Sequence, residues 1–80
     1  MRPALTVYIR PGCHLCEDML EHLNTLQAGL GFTIEMVDIT RDAVLESEHG
    51  TKVPVLYVDG VEICHYFLDE AALKRCFEAV

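Results

Sequence analysis

Arg10-Pro11-Gly12-Cys13-His14-Leu15-Cys16 stands between two stretches of opposite periodicity, and both are read outward from it. Upstream, Leu5, Val7 and Ile9 alternate with Ala4, Thr6 and Tyr8. Period-two patterning predicts a strand over Ala4–Ile9, and apolar groups on both faces make it a central one. Pro11-Gly12 breaks that strand where the thiols begin. Downstream, Leu15, Met19, Leu23, Leu26 and Leu30 trace one face of a helix that starts near His14, while Glu17, Asp18, Glu21, His22 and Asn24 fall mostly elsewhere. Two thiols three residues apart on the first turn of a helix can form a disulfide with each other. The unpaired backbone N–H groups and the helix dipole there also favour a thiolate. The stretch therefore reads as a redox C-x-x-C.

The rest of the chain supplies its frame. Gly29 and Gly31 end the helix or turn the chain. Phe32 to Ile39 predicts a second strand, parallel to the first and reached by a right-handed crossover. Thr40 is the expected N-cap of a short helix over Arg41 to His49, with Gly50 at its C-terminal end. Val53 to Val58 predicts a third strand, apolar almost throughout, with Pro54 at its start, where proline is admissible. Asp59-Gly60 is the signal of a type I′ turn, so Val61 to His65 is the antiparallel return strand. Asp69 caps a last helix with Ala72, Leu73, Cys76, Phe77 and Val80 on its buried side and Lys74, Arg75 and Glu78 outward. The expected order is βαβαββα, one α/β domain over residues 1–80.

Composition limits what such a domain does. Eighty residues, 51% of them hydrophobic, suffice for one compact core. A net charge of −7 speaks against a nucleic-acid partner, because phosphate binding needs a basic surface. The same charge suits a soluble monomer. Met1-Arg2 carries one positive charge, but the apolar run behind it ends at Arg10, too short for a signal sequence, and no stretch approaches a membrane span. The expectation is a cytoplasmic protein, where a C-x-x-C is more often catalytic or metal-binding than a structural staple. Cys64 and Cys76 lie far from the motif and read as small buried hydrophobes.

Cys13-His14-Leu15-Cys16 after the first strand, Lys52-Val53-Pro54 before the third and the Asp59-Gly60 hairpin after it make the chain resemble thioredoxin-fold proteins of the glutaredoxin-like kind. The resemblance covers nearly the whole length and is closest to a group of small glutaredoxin-like proteins. It implies a four-stranded mixed sheet in the order second, first, third, fourth strand, flanked by three helices. It makes Cys13 the exposed nucleophile and Cys16 the resolving thiol. It puts a cis peptide bond between Val53 and Pro54 and sets that loop against the C-x-x-C, so that Arg10, His14, Val53 and Pro54 face an extended substrate. The substrate it implies is a disulfide-containing protein or a small thiol. Glutathione-using glutaredoxins commonly carry Cys-Pro-Tyr-Cys, Thr-Val-Pro and a Gly-Gly pair before acidic residues. Here His14-Leu15, Lys52 and Cys64-His65 stand in those places, with Tyr66-Phe67-Leu68 before Asp69. Glycines permit close approach of the tripeptide to the backbone, and bulky side chains stand against it. No bound cofactor is expected; glutathione and a flavoprotein reductase are the candidate electron donors.

The tuning of Cys13 has several contributors. The helix dipole offers ~0.3–1 kcal/mol at an exposed site, less than the ~1.4 kcal/mol of one pKa unit. Backbone N–H groups and the cations at Arg10 or His14 would add to it, while Glu17, four residues on, works against it. The expectation is a moderately acidified thiol and a reductant rather than a strong oxidant. Two other readings compete. One is metal binding by the same cysteines: a C-x-x-C is half of a zinc site that Cys64, His65 or His14 could complete, and the resemblance also implies an iron–sulfur cluster held between two chains with glutathione. No second pair has the zinc spacing and bulky side chains stand against the tripeptide, so no metal site is expected. A domain that keeps the fold and serves as a non-catalytic adaptor is the other.

Overall fold

The computed structural model describes residues 4–78. Strand β1 (Ala4–Ile9) runs into helix α1 (His14–Leu30), and β2 (Thr33–Asp38) follows. A single 3-10 turn (Ile39–Arg41) leads to the short helix α2 (Ala43–His49), the hairpin β3 (Val55–Val58) and β4 (Val61–His65), and helix α3 (Glu70–Glu78). The sheet order is β2-β1-β3-β4. β1 is central, as its two apolar faces require, parallel to β2 from Ala4↔Thr33 to Ile9↔Asp38 and antiparallel to β3 from Leu5↔Val58 to Tyr8↔Val55.

The alternation of β1 divides the molecule. Leu5 and Val7 point to one face, where they join Met19 and Leu23 of α1, Phe32, Leu56 and Val58 of β3, and Leu73 of α3 in the main core. Each of these large side chains contributes ~1.5–3 kcal/mol by leaving water. Tyr8 and Tyr57 point to the other face. There the ring of His49, from the end of α2, stacks on Tyr8 at 4.5 Å and meets Tyr57 edge-on at 5.7 Å. His49 is buried, and its Nδ1 has no hydrogen-bond partner.

Several boundaries differ from the sequence reading, each for a local reason. The buried stripe of α1 begins at Cys16 rather than Leu15, and Leu15 is half-buried. Counting from Cys16, the stripe runs through Met19, Leu23, Leu26 and Leu30 in steps that average closer to the helical period. Gly29 remains inside the helix, and Gly31 ends it in the left-handed conformation (φ 70°, ψ 42°), its N–H donating to Gln27 O at 2.7 Å. Thr40 caps nothing: its N–H and hydroxyl both donate to the Asp38 carboxylate, at 2.9 and 2.6 Å. Asp42 is the N-cap of α2, accepting from the N–H of Val44 at 2.8 Å and of Leu45 at 3.4 Å. Gly50 does follow α2, but in right-handed helical conformation (φ −53°, ψ −32°). A side chain there would have its Cβ 2.4 Å from Glu46 O, so glycine serves close approach rather than a left-handed turn. β2 loses Phe32 and Ile39, both buried at its ends, and β3 begins at Val55, leaving Val53-Pro54 in the preceding loop.

Asp59 (φ 50°) and Gly60 (φ 82°) are both left-handed, as a type I′ turn demands. A bulge between Leu56 and Tyr57 shifts the β3–β4 register, setting Cys64 opposite Leu56 and Glu62 opposite Tyr57. In α3 the Asp69 carboxylate accepts from the N–H of Ala72 at 3.0 Å, and Leu73 is fully buried. Ala72, Cys76 and Phe77 are half-buried, and the expected core position Val80 lies outside the described residues.

Candidate active site

The corner between β1 and α1 is built from three local facts. Gly12 takes a left-handed turn (φ 73°) that reverses the chain after Arg10. Cys13 then occupies the N-cap of α1 in extended conformation (φ −96°, ψ 111°), with Glu17 N donating to its carbonyl at 3.1 Å. Its sulfur sits where a capping oxygen ordinarily would, and accepts the N–H of Cys16 at 3.1 Å. One of the unpaired donors of the first helical turn thus points at this sulfur.

The two thiols differ sharply in setting. Cys13 is half-exposed, whereas Cys16 is only 3% exposed and heads the buried stripe of α1. Burial, helped by a hydrogen bond to Cys13 and by the Cys13 charge, pushes the Cys16 thiol from 9.0 up to about 11, against a smaller downward pull from the backbone and charge of Arg10. Cys16 is accordingly a protonated thiol at neutral pH. Cys13 is the sulfur that water reaches and that a backbone donor addresses.

His14 and Arg10 take different roles. The His14 side chain is 96% exposed, with Nδ1 3.9 Å from the Glu17 carboxylate. The guanidinium of Arg10 turns toward α2, where it pairs with the Glu46 carboxylate and donates to Gly50 O at 3.0 Å. It is half-buried there, and it ties the end of β1 to the start of the loop that carries the proline.

That loop joins α2 to β3 and contains the cis peptide between Val53 and Pro54. Continued beyond Tyr8↔Val55, the β1–β3 register brings Ile9 level with Pro54 and Arg10 level with Val53. The loop therefore lies at the end of the sheet from which the C-x-x-C emerges. Lys52 is not simply solvated: its Nζ is 3.1 Å from Glu62, whose carboxyl it holds below the usual range.

The Cys64–Asp69 stretch is filled by side chains. Cys64 packs on the core, its sulfur accepting the N–H of Asp69 at 3.5 Å, and burial pushes its thiol up. His65 is exposed, with Nδ1 3.6 Å from Glu62. Cys76 donates to Ala72 O at 3.4 Å within its own helix. Tyr66, which the sequence reading names only among the bulky residues that follow Cys64-His65, is tied to the proline loop: its N–H donates to Pro54 O at 2.9 Å and its hydroxyl to Thr51 O. The glycine pair that the resemblance expects close by is the one signal that the backbone here turns left-handed, as Tyr66 does (φ 65°). Among the described residues, no three His, Cys, Asp or Glu side chains converge as metal ligands would, and no helix is long and apolar enough to cross a membrane.

Known proteins resemble this chain in sequence and fold. The chain is 32% identical over 78 residues to the uncharacterized protein Rv0508 of Mycobacterium tuberculosis, a match covering 91% of this chain and 80% of that one. The solution structure of protein Ne2328 from Nitrosomonas europaea superposes with a TM-score of 0.88 at 37% identity, over 95% of this chain and 92% of that one. Oxidized thioredoxin O2 from Arabidopsis thaliana superposes with a TM-score of 0.62 at 22% identity, over 99% of this chain and 75% of that one, a likeness of fold. Residues 4–78 match the family described as Glutaredoxin-like domain (DUF836), and the chain belongs to that family, with a thioredoxin-like fold.

Proposed function

We propose that this protein is a dithiol thiol–disulfide oxidoreductase that acts as a reductant, with Cys13 attacking and Cys16 resolving. The observation that carries this reading is the unequal pair: a half-exposed sulfur addressed by a backbone N–H at 3.1 Å, and a buried protonated thiol one helical turn away. The Cys13 thiolate attacks one sulfur of a substrate disulfide. A Cys13–substrate disulfide forms, and the other substrate sulfur leaves as a thiolate that takes up a proton from water. Cys16 then loses its proton and attacks the Cys13 sulfur. The Cys13–Cys16 disulfide forms and the second substrate thiol leaves, so two electrons pass from protein to substrate.

The Val53 backbone and Pro54, beside the corner, suit a protein segment or small disulfide lying extended across the site. Re-reduction is by a dithiol donor coupled to a flavoprotein reductase rather than by glutathione. Cys64-His65 stand where a glycine pair would admit the tripeptide, and residues with side chains there oppose its close approach to the backbone. A cytoplasmic setting, where thiols rest reduced, fits this role.

The test is capture. Cys16→Ser is expected to hold substrate on Cys13 as a mixed disulfide that reductant releases, read as a mass increase on the protein recovered from extract. Mild oxidation of the natural chain is expected to remove two hydrogens and to protect Cys13 and Cys16 from alkylation together. Failure to form that disulfide would refute the reading and favour the adaptor.

A further inference from the structure

We propose that Tyr66 is a positioning residue that fixes the cis-proline loop for binding of an extended peptide disulfide; this rests on the redox reading of Cys13. The backbone of Tyr66 is left-handed (φ 65°), a region that bulky side chains rarely enter. In that conformation the residue reaches the loop twice, through its N–H to Pro54 O at 2.9 Å and through its hydroxyl to Thr51 O. An unusual backbone conformation held by two contacts to one loop is a feature to explain functionally.

The loop is pinned from the other side as well. Arg10 donates to Gly50 O at 3.0 Å, and Lys52 N donates to His49 O at 2.8 Å. Val53 lies between these attachments. Among the described residues its amide and carbonyl have no partner within the chain. They form a donor and an acceptor held at a fixed place beside the thiol corner, the pair of groups an extended backbone needs to add alongside. A loop already ordered loses less freedom when a peptide binds. Among the described residues no hydrogen bond joins Tyr66 to either sulfur, so its loss acts on the binding of a peptide long enough to reach Val53, not on exchange at Cys13 itself.

The experiment compares reduced wild type with Tyr66→Phe, which keeps the ring and removes the hydroxyl. Each is mixed in single turnover with two probes. One is a short linear peptide whose central cysteine is disulfide-bonded to mercaptoethanol; the other is hydroxyethyl disulfide, too short to span the loop. Acid quenching, alkylation and mass measurement count the thiols consumed. The loss of one hydrogen bond predicts that preference for the peptide falls about threefold to tenfold in Tyr66→Phe. The change is expected in the half-saturating peptide concentration. Amide hydrogen exchange at Lys52, whose N–H is bonded to His49 O within the loop, is expected to quicken by a similar factor. A purely structural role would slow both probes alike and leave their ratio unmoved. An unchanged ratio, or unchanged exchange at Lys52, overturns the proposal while leaving the redox reading intact. A wild-type protein that reacts with neither probe overturns the redox reading and the positioning role with it.

Discussion

Alkaline pH is expected to destabilise the reduced protein through Cys16, by an amount set by that residue's burial. The thiol is 3% exposed and is pushed from 9.0 to about 11 by desolvation first and by its bond to Cys13 second. Below about pH 9 the folded and unfolded chains both hold this proton, and the preference of the native state for the neutral thiol is fully in force. Between about pH 9 and 11 the unfolded chain releases the proton while the folded one keeps it, so stability falls by ~1.4 kcal/mol per pH unit. The ceiling is ~3 kcal/mol, a sizeable share of the ~5–15 kcal/mol that holds a typical domain together. Tyrosines and lysines titrate in the same window, so the control is Cys16→Ala, whose cavity cost does not vary with pH. Urea unfolding followed by far-ultraviolet circular dichroism, under reductant from neutral to alkaline pH, gives two stability curves. The wild-type curve is expected to fall about 2–3 kcal/mol further than the variant's. Parallel curves would refute the reasoning, since they would mean that Cys16 ionises as freely in the native state as in the unfolded chain. The same burial bears on turnover. Once Cys13 is tied up in a mixed disulfide, its hydrogen bond and charge no longer act on Cys16, but desolvation persists. Resolution is therefore expected to accelerate with rising pH.

Three further outcomes follow from local geometry. Asp42→Ala is expected to cost ~1 kcal/mol in urea unfolding, because it frees two N–H groups of α2; Thr40→Ala should cost less, because the Thr40 hydroxyl is a donor to Asp38 and caps no helix. Gly50→Ala sets a Cβ 2.4 Å from Glu46 O and 3.3 Å from Arg10 Nη2, which predicts a loss of ~1–3 kcal/mol as in overpacked sites, with a lower thermal midpoint as the readout. Asp38 and Glu62 are held below their ordinary values of 3.8 and 4.5 by Thr40 and Lys52 respectively. The stability they contribute is present above those values and lost as pH falls through the lowered ones, so the urea midpoint of Asp38→Asn should fall less steeply in acid than that of the wild type.

The frame of the fold was legible because its signals are local. The alternation of Leu5, Val7 and Ile9, the leucine stripe and the Asp59-Gly60 turn each specify an element within a few residues. The sheet order and the cis Val53–Pro54 bond came through family likeness, and both are present. What stayed hidden depends on partners distant in sequence. Arg10 finds Glu46 and Gly50, and Tyr66 finds Thr51 and Pro54. The bulge in the β3–β4 pairing is the clearest case. In an unbroken strand Glu62 and His65 would lie on opposite faces. The extra residue brings them together at 3.6 Å and sends Cys64 into the core instead. Thr40 was misread as the cap because Thr and Asp satisfy the same rule, and only the backbone path selects Asp42.

The inequality of the two sulfurs and the packing of α1 have one cause. A helix advances about 100° per residue, so the residue three beyond the N-cap comes round almost a full turn. The buried stripe here is Cys16, Met19 and Leu23, with Leu15 at its margin. Cys16 is thus the first core position of the helix, and Cys13 is the position just outside it that accepts the N–H of Cys16. Shortening the spacing by one residue would put the second thiol at position 15, at the half-buried margin of the stripe, and would weaken the desolvation that keeps it protonated. Lengthening it by one would put the second thiol at position 17, where the Glu17 side chain is 74% exposed, and would remove that desolvation altogether. A spacing of three residues is the one that gives an addressed outer sulfur and a buried inner one in reach of each other, which is the asymmetry a dithiol reductant requires.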